Sequence, residues 1–542
     1  VKNMHVEVKA DVILSSNAVF TAVDDSPRKA SIAIIGNKIA CVGSELEMEP
    51  YIGPKTKFYR FDDNLIMPGF NDVHTHVILG CLMEDTVNLL EAGSAKEAAS
   101  LMRDFAEKRP NDQWILGFSW YHTYWENQQV PHRSELDAVI PDRPVFLLHA
   151  AGHIGWANSK ALELAGINRD SADPVDGVIE RDEQGEPTGI LYENALSLVA
   201  KKAFTLQGEQ RERIFTRFLG KAAKLGVTSV TDIFTLTGYE INELDLYEEF
   251  LKNGKLTTRI FFLTGLADIE QAKRLRDTYQ FDKLQFSGLK EFLDGIVTAH
   301  TAHLVEPYSN RPETCGHKPP DRMKDLVLKA DQEGFRIRFH AVGDGAVRFA
   351  LDVFEEAQRI NGKRDSRHTV EHIEVIHPDD IPRFAELGVL PSMQPEHMGL
   401  IERNHYVSCI GKGREPYTFP VKSLMETGAT LILGTDYPIV ELNPMFELYR
   451  AVSRVSGDGK PWNESEAVSL ASALKAYTAN AAYGVFKEND LGTLEQGKLA
   501  DLIVLDRNLF NVPVSEIKDT KVKLTMMDGE IVFEDVPSDL FV

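Results

Sequence analysis

Short β-branched and aromatic runs alternate with longer stretches whose apolar residues return every three or four positions. Apolar runs of strand length fall at 65–76, 114–119, 144–149, 226–233, 257–264, 286–293, 335–340, 368–373, 388–393 and 430–435. Helical patterns separate the later runs, as in GEQRERIFTRFLGKAAKL before Gly226 and DRMKDLVLKADQEG before Phe335. Strands joined by helical crossovers lie parallel, and eight of them close a barrel. Ten runs are two too many. The pair at 114–119 and 144–149 lies in the long stretch between the first strand and Gly226, which assigns it to a subdomain inserted at about 105–205.

The two ends of the chain are alike in kind. DVILSSNAVFTA and SIAIIGNKIACVG near the start, and ADLIVLD and VKLTMMDGEIVFE near the end, read as strands, with turn signals at Gly36-Asn37-Lys38 and Asp528-Gly529. Neither end holds enough strands for a stable sheet alone. Pooled, residues 1–64 and about 487–542 are expected to form one composite β-sandwich, with 65–486 as the barrel. The predicted class is α/β.

Composition narrows the function. The 542 residues include 59 Lys+Arg against 82 Asp+Glu, a formal net charge of −23, and 43% are hydrophobic. This is a globular mixture, which excludes a collagen, a coiled-coil rod and a disordered acidic tail. An acidic chain without a Lys/Arg run offers no counterion-releasing surface, so a small-molecule substrate is expected rather than nucleic acid. Cys41, Cys81, Cys315 and Cys409 are scattered without CxxC spacing and read as reduced thiols, which suits the cytoplasm. The first residues carry no long apolar run, so no signal peptide is expected, and no run of about 18 apolar residues predicts a membrane span. A homodimer is compatible with this reading.

Chemistry concentrates at strand ends. His74 and His76 close the first barrel run; strand side chains alternate faces, so the two imidazoles point the same way and can share one metal. His340 ends FRIRFH, His372 is the last residue but one of HTVEHI, Asp436 follows TLILGT, and Lys290 sits in the apolar setting of FSGLKEFLDG. The C-terminal ends of barrel strands are where barrel enzymes keep their chemistry.

PGFNDVHTH, FHAVGDGA, VEHIEVI and LGTDYP together resemble the ordered metal-binding motifs of the amidohydrolase superfamily. GEPTGILYENA, GLKEFLDG, SMQPEH and the closing LGTLEQGKLADLIVLD are similar to its YtcJ-like branch, which includes N-substituted formamide deformylase. The resemblance implies a distorted (β/α)8 TIM barrel with a composite β-sandwich and an insertion after the first barrel strand. It implies one or two divalent metal ions, zinc by default. His74, His76 and Asp436 would bind the more buried ion, His340 and His372 the second, and Lys290, carboxylated by CO2, would bridge them. Asp436 would also move the proton from water to the leaving nitrogen. The implied activity is metal-dependent hydrolysis of a C–N bond in an amide, formamide or cyclic amide. An esterase or lactonase on the same centre is the alternative, and a non-catalytic scaffold the remaining one.

Softer candidates for the substrate pocket are Trp120, His153, Trp156, Asn158, His300, His303 and Gln394, with Tyr121 and Tyr124 beside Trp120 as an aromatic wall. His300 and His303 depart from the family pattern, which usually has an Arg and a small residue there. Asp344 and Glu371 are expected to orient neighbouring ligands or close turns.

Overall fold

A computed structural model describes residues 8–535, apart from 151, 153, 175–176, 206–207, 234, 237–238 and 241–242. The chain divides into two compact units, one of residues 1–75, 219–233 and 253–542, the other of 76–218 and 234–252.

The first unit is built on eight parallel strands: β1 (Phe70–Thr75), β2 (Val227–Ile233), β3 (Arg259–Gly265), β4 (Leu284–Phe292), β5 (Ile337–Ala341), β6 (Thr369–His372), β7 (Leu390–Met393) and β8 (Ile432–Leu433). Each pairs in parallel with the next. The ring comes close to shutting where Thr75, at the end of β1, bridges Tyr437 just past β8. These strands overlap eight of the ten expected runs, so the α/β barrel is confirmed. The surplus pair lies in another sheet, as the strand count required.

One expected strand is two. The run 65–76 breaks at Gly69: Leu65–Pro68 leaves the barrel for a separate sheet, and β1 starts at Phe70. A Cβ at Gly69 would stand 2.3 Å from Thr228 Oγ1, so only glycine lets the chain pass β2 at that point.

That separate sheet has eight strands. Its order runs Glu530–Glu534, Val522–Met527, Leu502–Leu505, Leu65–Pro68, Val12–Val19, Arg28–Ile35 and Lys38–Gly43, with Lys57–Arg60 also paired to Val12–Val19. Leu65–Pro68 sits between strands from opposite ends of the chain, parallel to Val12–Val19 and antiparallel to Leu502–Leu505. One apolar cluster joins Leu14, Ile32 and Tyr59 to Leu502, Val504 and Leu524. Arg259, at the start of β3, ties the sheet to the barrel. Its buried guanidinium donates to both oxygens of Asp501 at 2.7 and 2.9 Å and to Asp528 at 3.1 Å.

The second unit holds a five-stranded sheet in the order Gly177–Arg181, Pro187–Glu193, Ile154–Ala157, Val145–His149 and Ile115–Trp120. Its core gathers Trp120, Trp125 and Trp156 with Met102, Leu147 and Ile190. Among the described residues, no helix is long and apolar enough to cross a membrane.

The pooling of 1–64 with 487–542 into one domain is a proposal that truncation tests. Deleting residues 1–64 removes nine of the sixteen buried residues of the shared apolar cluster. Amide exchange across Leu502–Leu505 and Val522–Met527 should then rise by orders of magnitude, and the melting temperature should fall. Unchanged protection there would separate the two ends.

Candidate metal centre

The C-terminal ends of the barrel strands bring most of the expected residues together. Lys290 lies in β4, His340 in β5, His372 ends β6, and Asp436 lies just past β8. One nitrogen each from His74 and His372 and one carboxylate oxygen of Asp436 lie within 4.8 Å of one another, all three side chains buried. The His340 and His372 rings are 4.5 Å apart between centroids, and those of His74 and His372 4.9 Å. His76 falls just beyond the strand end, buried, at the start of the helix Val77–Glu84 in the second unit.

The backbone is strained where it delivers these groups. His372 has φ of 74°, Ile373 49° and Asp436 64°. The left-handed region costs non-glycine residues about 1–3 kcal/mol each, and a β-branched residue is least suited to it. Surrounding bonds hold the conformation: the Asp436 N–H donates to the His74 carbonyl at 2.8 Å, and the Ile373 N–H to that of Ala341 at 3.1 Å.

The imidazoles are oriented from behind. Glu371 Oε2 lies 2.8 Å from His74 Nδ1, while Oε1 accepts from Arg338 Nε. A carboxylate only accepts, so Nδ1 carries a proton, and Nε2 lies 3.2 Å from Asp436 Oδ1. Glu371 therefore orients a candidate ligand, as expected. Burial alone would raise its pKa, but Arg338, His74 and Lys290 hold it well below the usual carboxylate range. Asp72 braces the same strand end: it accepts from Thr435 Oγ1 at 2.7 Å, Thr435 N at 3.0 Å, His74 N at 3.2 Å and Tyr477 O–H at 3.2 Å.

Lys290 is 1% exposed, and its Nζ has no hydrogen-bond partner. Burial pushes its pKa down to about 8, against the pull of Glu371 and with help from Arg338. The bland local alternative for this lysine, a salt bridge to Glu291 or Asp294, is not formed. Asp294 instead accepts the backbone N–H groups of His303, Val342 and Gly343 at 2.9, 3.0 and 2.9 Å. Burial and the Lys290 charge pull His340 down to about 3, and burial beside His340 takes His372 well below the usual imidazole value. Both rings are thus neutral, the form in which imidazole binds metal.

Sequence reasoning missed His397, Glu374 and Tyr406. His397, just past β7, has Nδ1 3.2 Å from Glu374 Oε1 and Nε2 3.4 Å from Asp436 Oδ2. Burial alone would lower its pKa, but Asp436 and Glu374 hold it up at about 10. The signal was in SMQPEH, a histidine following a barrel strand like those already singled out.

Other candidates have different surroundings from those expected. Asn158 is fully buried, and its amide is fully engaged. Oδ1 accepts Val145 N and Ala161 N, both at 2.9 Å, and Nδ2 donates to the carbonyls of Ile140 and Arg143 at 3.0 and 2.8 Å. It caps the helix Ser159–Ala165 rather than facing a pocket. Trp120 and Trp156 are likewise core residues, their indole N–H groups donating to the Leu147 and His132 carbonyls. The Tyr121 ring lies 5.0 Å from that of His149; His153 and the side chain of Tyr124 lie outside the described residues.

The loop after β4 carries the two departures from the family pattern. The His303 carbonyl accepts Gly345 N and Ala346 N, at the start of the helix Asp344–Asn361, while Asp344 accepts Val305 N at 2.9 Å. His300 rests on Tyr308 and Asn310. Gln394 is buried, its Oε1 without a partner.

The profile of the Amidohydrolase family matches residues 62–533. The chain belongs to the amidohydrolase family. Membership makes it a hydrolase and implies divalent metal ions. It is similar to Protein LONG AFTER FAR-RED 3 of Arabidopsis thaliana, 31% identical over 516 residues, covering 92% of this chain and 88% of that one. It is also similar to N-substituted formamide deformylase of Arthrobacter pascens, 26% identical over 522 residues, covering 93% and 95%. Among solved structures, a metal-dependent hydrolase from Pyrococcus horikoshii OT3 superposes with a TM-score of 0.77 at 27% identity, covering 93% of this chain and 99% of that one.

A buried amine without partners costs this hydrolase stability. Replacing it by an apolar side chain of similar length, Lys290→Met, should stabilise the metal-free protein by about 1–3 kcal/mol while removing activity. Thermal unfolding of metal-free samples checks this; a lower midpoint in the variant would mean that Lys290 stabilises the fold.

Proposed function

We propose that this hydrolase cleaves a C–N bond, in an amide, formamide or cyclic amide, using divalent metal held by His74, His76, Lys290, His340, His372 and Asp436. The observation that carries the reading is the buried convergence of His74, His372 and Asp436. The donor set fits a divalent ion: imidazole and carboxylate suit zinc first, with manganese, cobalt and iron as alternatives. His74 is already oriented through Nδ1, and the His372 Nδ1 and Lys290 Nζ are buried without hydrogen-bond partners.

An ammonium has donors only and cannot ligate a cation. The neutral amine of Lys290, favoured by burial, can add CO2 and release a proton, and the resulting carbamate offers two oxygens. We assign Lys290 that modification. A divalent ion bound here supplies Lewis acidity, which lowers the pKa of a water and polarises the scissile carbonyl. Asp436, with one oxygen toward His74, accepts the proton from the attacking water and delivers it to the departing nitrogen. The activity named for the Arthrobacter pascens relative favours a C–N bond over the ester or lactone alternative.

Dialysis against a strong chelator should abolish hydrolysis of N-formyl and N-acyl amines, and zinc or manganese should restore it; full activity in metal-free enzyme would refute the proposal. Asp436→Asn should lower kcat by about 10²–10⁴-fold with the fold intact. A near wild-type kcat in that variant would move proton transfer to another group.

A further inference from the structure

The two oxygens of Asp436 have different partners. Oδ1 faces His74 Nε2 at 3.2 Å, and Oδ2 faces His397 Nε2 at 3.4 Å. Behind His397, Glu374 holds Nδ1 with Oε1 at 3.2 Å and accepts the Tyr406 O–H on Oε2 at 2.9 Å. Tyr406, Glu374, His397 and Asp436 are all buried. They form a line of polar side chains supported by the helices His397–Leu400 and Arg403–Ile410.

We propose that His397 is a positioning residue: it fixes the rotation of the Asp436 carboxylate, so that Oδ1 stays toward His74 while Oδ2 is kept for proton exchange. This rests on the reading of Asp436 given above and extends it. A carboxylate bound by one oxygen turns freely about its last bond, which exchanges the roles of the two oxygens. A partner on the second oxygen removes that freedom before substrate arrives, and such preorganisation lowers the barrier to a positioned proton transfer. Glu374 and Tyr406 do for His397 what Glu371 and Arg338 do for His74. Outer partners of this kind typically change metal affinity or activity 10–100-fold when removed.

The test uses metal-loaded enzyme with His397→Leu, His397→Gln and Tyr406→Phe, measured for metal content per chain, kcat and KM, together with crystal structures. His397→Leu should keep the wild-type metal content, lose about 100-fold in kcat, and change KM less than threefold. His397→Gln, which retains an N–H donor, should recover at least tenfold of that loss. Tyr406→Phe, which deletes only the outermost hydroxyl, should fall between wild type and His397→Leu, and it carries the test if the leucine variant fails to fold. Crystals of His397→Leu should show the Asp436 carboxylate turned from its wild-type rotamer.

The proposal is overturned if kcat is unchanged in both His397→Leu and Tyr406→Phe, or if glutamine is as defective as leucine. It is also overturned if metal is lost in step with activity, which would make His397 a ligand. If wild-type enzyme cleaves no amide, the functional reading fails by itself. The Asp436 rotamer and the metal content then still decide the role of His397: an unchanged rotamer overturns it.

Discussion

The Glu371 carboxylate, sealed between the Arg338 guanidinium and the His74 imidazole, is the interaction on which the rest of the centre depends. It joins β5, β6 and β1 below the strand ends. The positive charge of Arg338 keeps Glu371 ionised in a place where burial alone would neutralise it. An ionised Glu371 in turn decides which nitrogen of His74 carries the proton. Arg338 also donates to the Val73 carbonyl at 2.7 Å, which anchors the strand that presents His74. Removing one partner of such a buried pair leaves an uncompensated charge and costs about 3–5 kcal/mol. Orientation of the site and stability of the barrel therefore share one contact.

Strain sits just above that contact. His372 and Asp436 take left-handed backbone conformations at their strand ends, and Lys290 lies buried without a hydrogen-bond partner. None of these features helps the chain fold. The strained His372 and Asp436 carry two of the three donor atoms that lie within 4.8 Å of one another, the pattern expected where stability has been given up for chemistry.

The barrel was legible because its strands are buried on both faces and read as continuous apolar runs, such as 226–233 and 257–264. Joined by helical patterns, such runs leave one architecture. Candidate ligands were legible for the same reason: a histidine or aspartate at the end of such a run stands out. The break at Gly69 was not, because it depends on the approach of Thr228, far away in sequence. Trp156 and Asn158 misled because a buried cap and a pocket wall use the same residue types. Only the hydrogen-bond partners of Asn158 separate the two roles. Glu374 was hidden by distance: nothing local says that a residue just past β6 meets His397, just past β7.

Anomalous diffraction from crystals of catalytically active enzyme, collected on both sides of the zinc and manganese absorption edges, would locate a metal in this centre. A divalent ion should appear among His74, His372 and Asp436, at coordination distances of about 2.0–2.2 Å. Active crystals without an anomalous peak in that position would contradict a metal centre there.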